Sequence, residues 1–142
     1  MTRKKRVLIL CTGNSARSQM AEGLLRDFGK DKFEVESAGV APSSVRSEAV
    51  EVMREIGIDI SAYRSKSVDE FAGKQFDFII TVCDNAKETC PVFPGLATRI
   101  HRNFEDPPSE SVGDYQSRLK IFRAVRHQLK EWLVNFAKQQ EK

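Results

Sequence analysis

Extended and helical apolar patterns alternate along this chain. Val7-Leu8-Ile9-Leu10 is an unbroken apolar run, the pattern of a strand buried on both faces of a parallel sheet. A loop containing Gly13 follows, and then Met20, Leu24, Leu25 and Phe28 recur on one side of a predicted helix that Gly29 is placed to end. Residues 33–37 read as a second strand, with Ala38-Gly39 turning away. Val45, Ala49, Val52, Met53 and Ile56 return to helical spacing, and Gly57 suits the left-handed position after that helix. Residues 76–82 form a strongly apolar third strand, and residues 97–100 a weaker fourth. The clearest period comes last. Leu119, Phe122, Val125, Leu129, Trp132, Leu133 and Phe136 line one face of a long helix, with Ser111 and Asp114 at capping-box-like spacing ahead of it. Trp132, Phe122 and Phe136 read as core contacts of that helix.

Strands alternating with helices imply an α/β fold with a parallel sheet, right-handed crossovers and both faces covered. A ligand then sits beyond the carboxyl ends of the strands. Cys11 and Cys83 each follow directly after a predicted strand, so both fall at that edge. A length of 142 residues suits one domain spanning 1–142, and 40% hydrophobic residues suffice for one core. The net charge of +3 is too small to argue for nucleic acid or a membrane, though it mildly suits a small anionic substrate. The charges of Arg3 to Arg6 precede an apolar run too short for a signal peptide or a membrane span, so a cytoplasmic monomer is expected. Three cysteines are an odd number, which argues against a disulfide framework. His101 and His127 lie away from zinc-ligand spacing, so no metal or other cofactor is expected, and neither histidine is assigned a function. The question is which thiols react.

Cys11-Thr12-Gly13-Asn14-Ser15-Ala16-Arg17-Ser18 joins the first strand to the first helix. Backbone N–H groups in such a loop form a concave nest for a tetrahedral oxyanion, and the helix starting near Arg17 adds its positive end. The planar fork of Arg17 can grip two oxygens. Gly13 supplies freedom for the tight curve, while Asn14 tolerates left-handed geometry and its amide can brace the loop. The expected oxyanion-binding set is therefore Thr12, Gly13, Asn14, Ser15, Ala16, Arg17 and Ser18. The same field is expected to depress the Cys11 pKa and make it nucleophilic at neutral pH, with Ser18 placed to donate a hydrogen bond to the thiolate. A cysteine after a strand is often plain core, and Cys-to-Arg spacing arises by chance. Here the spacing coincides with a strand, a Gly-Asn loop and a helix start.

The run CTGNSARSQMAE, Cys11 to Glu22, resembles the signature of the low-molecular-weight protein tyrosine phosphatases and the arsenate reductases built on the same fold. The resemblance extends through Ser37-Ala38-Gly39, Gly57-Ile58-Asp59-Ile60-Ser61 and Asp106-Pro107. It implies a three-layer sandwich, a four-stranded parallel sheet flanked by helices. It also implies the loop cysteine as nucleophile, the arginine as oxyanion clamp and the aspartate of an Asp-Pro pair as general acid, matching Cys11, Arg17 and Asp106. Asp106 follows the fourth predicted strand and so falls at the same sheet edge as Cys11, where a carboxylic acid can protonate a departing oxygen. An Asp-Pro turn is common in its own right, and Glu105 is an alternative acid.

The anion loop does not separate phosphatase from reductase, but the other cysteines do. Cys83 ends the third strand, and Cys90 lies seven residues later, before Pro91. A phosphatase needs one thiol and water, whereas reducing arsenate takes two electrons, which a dithiol supplies on becoming a disulfide. The expected cycle has Cys11 attack arsenate, Cys83 attack the Cys11–arsenic adduct to release arsenite, and Cys90 then take over Cys83. In the reductases resembled, thioredoxin reduces that last disulfide, and three cysteines have these roles and spacing. Disulfide-linked Cα atoms lie roughly 5.5 Å apart, and seven residues of helix span roughly 10 Å. The polar segment 83–93 must therefore unwind or loop out, with Pro91 and Pro94 limiting the movement. The phosphatases usually carry tyrosines directly after Asp-Pro. Here Pro108-Ser109-Glu110 follows, which disfavours an aromatic phosphoester.

Two departures stand out. Many related reductases have a further cysteine where this chain has Ala16. Some relatives build a potassium site from residues matching Asn14, Glu22, Ser37 and an aspartate, and Lys66 stands at the aspartate position. An ammonium there is expected to pair with Glu22 and replace the ion, unless Lys66 is merely solvated. A phosphatase, and a non-catalytic oxyanion sensor with redox-active thiols, are the competing readings.

Overall fold

The computed structural model describes residues 3–83 and 97–140. Its elements are β1 (Lys5–Cys11), α1 (Arg17–Gly29), β2 (Phe33–Gly39), α2 (Ser47–Arg54), a 3-10 turn (Val68–Phe71), β3 (Phe78–Thr81), β4 (Thr98–His101) and α3 (Tyr115–Gln139). The strands form one parallel sheet in the order β2-β1-β3-β4, flanked by the helices. The central strand β1 carries the unbroken apolar run, and Val7, Leu8, Ile9 and Leu10 are fully buried. Each such side chain contributes roughly 1.5–3 kcal/mol through burial. β1 and β3 stop at the same edge, so Cys11, which ends β1, and Cys83, two residues beyond β3, emerge together there.

The helix and strand types agree with the sequence pattern, and several details differ. Gly29 is the last residue of α1, which passes into a right-handed cap at Lys30. Its small size matters instead, because a Cβ there would lie 2.8 Å from the Phe33 ring. Phe28 and Ile56, expected on core faces, are 37% and 36% exposed; Phe28 is next to last in α1, and Ile56 lies two residues beyond the end of α2. β2 runs on to Gly39, paired with Cys11, where a turn was expected after residue 37. α3 is capped by Asp114 alone, whose carboxylate accepts from Ser117 N at 2.8 Å, and Ser111 has no part in the cap. Gly57 adopts the left-handed conformation expected of it, with φ +80°. No helix among the described residues is long and apolar enough to cross a membrane.

α2 and α3 are joined by a buried carboxylate. Glu48 Oε2 lies 2.7 Å from both Arg46 Nη2 and Arg118 Nε. Burial by itself raises the Glu48 pKa, but the two guanidinium groups outweigh it and hold the carboxyl at about 2. Because this lies below the ordinary glutamate value, the contribution to stability is present above pH ~4.5 and lost as pH falls towards 2. Urea melts between pH 5 and 2 should show stability declining through that window. Glu55, held equally low by Arg123 and Arg126, adds to the same slope. A Glu55→Gln background removes that share of the slope, leaving Glu48 with the smaller shares of Asp59, Glu70, Asp77 and Asp114, which are also lowered.

Candidate active site

The loop after β1 is wrapped by the segment after β2. Val40 N donates to Cys11 O, Ala41 N to Thr12 O, Ser43 N to Gly13 O and Arg46 N to Ser15 O, at 2.8–3.2 Å. In a trans peptide the carbonyl and the following N–H point in opposite directions. The N–H groups of Thr12, Gly13, Asn14 and Ala16 therefore turn away from that segment, as an anion nest requires. Asn14 takes the left-handed bend, with φ +50°. Gly13 keeps an ordinary φ in the curve, and a Cβ there would meet Ser15 Oγ and Ser43 Oγ at 3.3 Å. Gly39 is where glycine is essential. A Cβ there would stand 2.5 Å from Thr12 O and 2.8 Å from Asn14 N.

The side chain of Asn14 is the hub of the loop. Its Nδ2 donates to Ser18 Oγ at 2.8 Å and Ser37 Oγ at 2.9 Å, and its Oδ1 accepts from Gln19 Nε2 and Lys66 N at 2.9 Å each. Ser37 in turn donates to the buried Glu22, whose other oxygen lies 2.9 Å from Arg26. Lys66 Nζ is 3.7 Å from Glu22 Oε1 and buried, rather than merely solvated. Burial raises the Glu22 pKa, while Ser37, Lys66 and Arg26 oppose that rise.

Arg17 is buried at the start of α1. Its Nη1 donates to Phe104 O at 2.9 Å, and its Nη2 lies 3.3 Å from Asp106 Oδ1. Asp106 thus reaches the anion loop across the sheet edge, while its own side chain is 79% exposed. Cys83 is buried and lies 3.2 Å from Thr12 Oγ1. The Cys83 thiol also bears on the ionisation of Cys11, and this corrects one expectation. The Cys11 pKa is raised, not depressed, first by the Cys83 thiol and then by burial, against the lowering effect of Arg17 and the Thr12 backbone N–H. The loop's field is present as expected, but two adjacent sulfurs cannot both ionise readily, and Arg17 is already shared between Phe104 and Asp106.

The structure therefore brings Cys11, Arg17, Cys83 and Asp106 to one edge. Cys90 and residues 84–93 of the expected moving segment lie outside the described residues. The sequence pattern assigns no role to Gln19, whose Nε2 braces Asn14 and Arg64 O, or to Phe104, whose carbonyl orients Arg17. A polar residue interrupting the apolar period beside Met20 is the one signal that marks Gln19. Two surface clefts of about 450 and 490 Å³ lie elsewhere, around Arg6 and Phe33 and along α3 by His127.

Residues 6–142 match the family described as low molecular weight phosphotyrosine protein phosphatase. An arsenate reductase of Halalkalibacterium halodurans is 39% identical over 134 residues, covering 94% of this chain and 96% of that protein. Arsenate reductase 2 of Staphylococcus saprophyticus is 41% identical over 113 residues, or 80% and 86% of the two chains. Among solved structures, an arsenate reductase in the phosphate-binding state superposes with a TM-score of 0.75 at 33% identity, covering 95% of this chain and 98% of the other. A low molecular weight protein tyrosine phosphatase from T. tengcongensis gives 0.78 at 28%, covering 96% and 99%. The chain belongs to the low molecular weight phosphotyrosine protein phosphatase family.

Proposed function

We propose that this protein reduces arsenate to arsenite through Cys11, Cys83 and Cys90, and is recycled by thioredoxin. Backbone similarity does not discriminate, since a phosphatase and a reductase superpose about equally well. The observation that carries the reading is the second thiol, Cys83, buried at the same sheet edge as Cys11 and 3.2 Å from Thr12 Oγ1 of the anion loop. Hydrolysis has no use for it, and a two-electron reduction does. The names of the relatives point the same way.

Arsenate sits on the loop N–H groups with Arg17 across two of its oxygens. The Cys11 thiolate attacks arsenic, forming an S–As bond, and one oxygen leaves as water with a proton from Asp106. The Cys83 thiolate then attacks Cys11 Sγ. The Cys11–Cys83 bond forms, the S–As electron pair stays on arsenic, and arsenite departs. Cys90 attacks Cys83 and frees Cys11, and thioredoxin reduces the Cys83–Cys90 disulfide. Because Cys11 starts out protonated against Cys83, its proton must leave as the oxyanion enters, and arsenate turnover should rise with pH through the neutral range.

The test is arsenite formation by wild type and single Cys→Ser variants with thioredoxin, thioredoxin reductase and NADPH. Cys90→Ser is expected to complete one turnover, stop, and accumulate the Cys11–Cys83 disulfide, visible by mass spectrometry. Sustained turnover in that variant would assign recycling to another thiol donor. Efficient p-nitrophenyl phosphate hydrolysis without any arsenite would favour the phosphatase reading.

Lys66 takes the place of the potassium ion of some relatives. The support is its ammonium beside Glu22 and its backbone N–H on Asn14 Oδ1. Turnover should be equal in potassium and sodium buffers of matched ionic strength, and severalfold stimulation by potassium would refute it.

A further inference from the structure

The chain between Phe104 and Tyr115 carries Asp106, yet within it only Pro107 is buried. Such a stretch has little apolar packing to fix its shape, so polar ties must do so. Those ties converge on one buried group. Arg118 Nη1 donates to Val112 O at 3.2 Å and Gly113 O at 2.9 Å, while its Nε donates to Glu48. Arg46 Nη2 donates to the same Glu48 oxygen, and its Nε lies 3.5 Å from Glu110 Oε1. The Arg46 guanidinium also stacks 5.2 Å over the Phe122 ring of α3. At its other end, the backbone N–H of Arg46 donates to Ser15 O in the anion loop.

We propose that Arg46, Glu48 and Arg118 form a buried clamp that positions the Asp106 loop over the oxyanion nest. The proposal rests on Asp106 being the acid. Glu48 is the anchor, with its side chain 1% exposed and both guanidiniums on one oxygen. Each arginine uses its fork to do two things at once. Arg118 bridges Glu48 to the loop carbonyls, and Arg46 faces both Glu48 and Glu110. A lysine offers a point charge and cannot span both partners. The Arg46–Glu110 pair is half in water and weak alone, so the carbonyl grip of Arg118 is the stronger tie. These are positioning residues, since they act on the reaction only through where Asp106 stands.

The experiment is single-turnover arsenite formation by the full-length reduced enzyme, giving a saturating rate and a half-saturating arsenate concentration. Arg118→Lys should lower the rate by about three- to tenfold, with half-saturation within about twofold, because the nest is intact. Glu110→Gln should lower it by less, about twofold, with no change in the urea midpoint. Glu48→Gln strands two buried guanidiniums and risks unfolding, so the other two variants carry the test. In an Asp106→Asn background neither Arg118→Lys nor Glu110→Gln should lower the rate further. An undiminished rate in folded Arg118→Lys overturns the clamp, as does a full additional loss in the Asp106→Asn background. Asp106→Asn with full wild-type rate overturns the acid assignment, and the clamp's role with it.

Discussion

Replacing Cys83 by alanine is expected to cut single-turnover arsenite formation by about 10³-fold or more, on the scale seen when an essential member of a catalytic unit is removed. Cys11 alone can form the arsenic adduct, but without a neighbouring thiolate the S–As electron pair has no route back to arsenic. The same substitution should make Cys11 easier to ionise. The Cys83 thiol is the largest influence raising the Cys11 pKa, and the lowering effects of Arg17 and the Thr12 N–H remain. Alkylation of Cys11 by iodoacetamide should therefore move to lower pH in Cys83→Ala, while phosphate competes with alkylation as in wild type. A better nucleophile in a dead reductase separates the two roles of Cys83. Unimpaired arsenite formation, without added small thiol, would show that Cys90 or another donor reaches Cys11 directly.

The second large effect is expected at Gly39, which carries no chemistry at all. Gly39→Ala places a methyl group 2.5 Å from Thr12 O and 2.8 Å from Asn14 N. Both are backbone atoms of the anion loop, so no flexible side chain can give way. Gly39 is itself held by pairing with Cys11 and by its N–H on Lys66 O at 2.8 Å. The loop must move instead. Overpacking of this kind costs about 1–3 kcal/mol of stability, and a displacement near 1 Å at reacting groups costs about 10²-fold in rate. Thr12 also touches Cys83, so both the nest and the thiol pair are disturbed. Gly57→Ala is the control. It has open space but a φ of +80°, so it should cost about 1 kcal/mol and leave the rate alone. Equal rates for Gly39→Ala and wild type would mean that the loop tolerates the shift.

Much of this protein is legible in one dimension. The apolar run 7–10 specifies a doubly buried central strand because a parallel sheet has no wet face. The long period from Leu119 to Phe136 specifies α3. The Cys11-to-Arg17 spacing, set between that strand and a helix, marks the candidate oxyanion loop, since local backbone geometry and a helix start are properties of contiguous sequence. Lys66 beside Glu22 was also within reach, through the resemblance.

Other features depend on residues distant in sequence. The Cys11 pKa turns on Cys83, which is 72 positions away. Its direction is decided by sulfur meeting sulfur, and no local field reveals that. Gly39 is required because of what packs against it, and Arg17 is aimed by a carbonyl 87 residues on. Arg46, Glu48 and Arg118 look like three surface charges on two amphipathic helices, and only the packing of α2 against α3 buries them together. Sequence by itself determined which groups can react, because reactivity follows residue type and local backbone. Tertiary structure decided their protonation and aim, because these depend on whichever charges and dipoles the fold brings within a few ångströms.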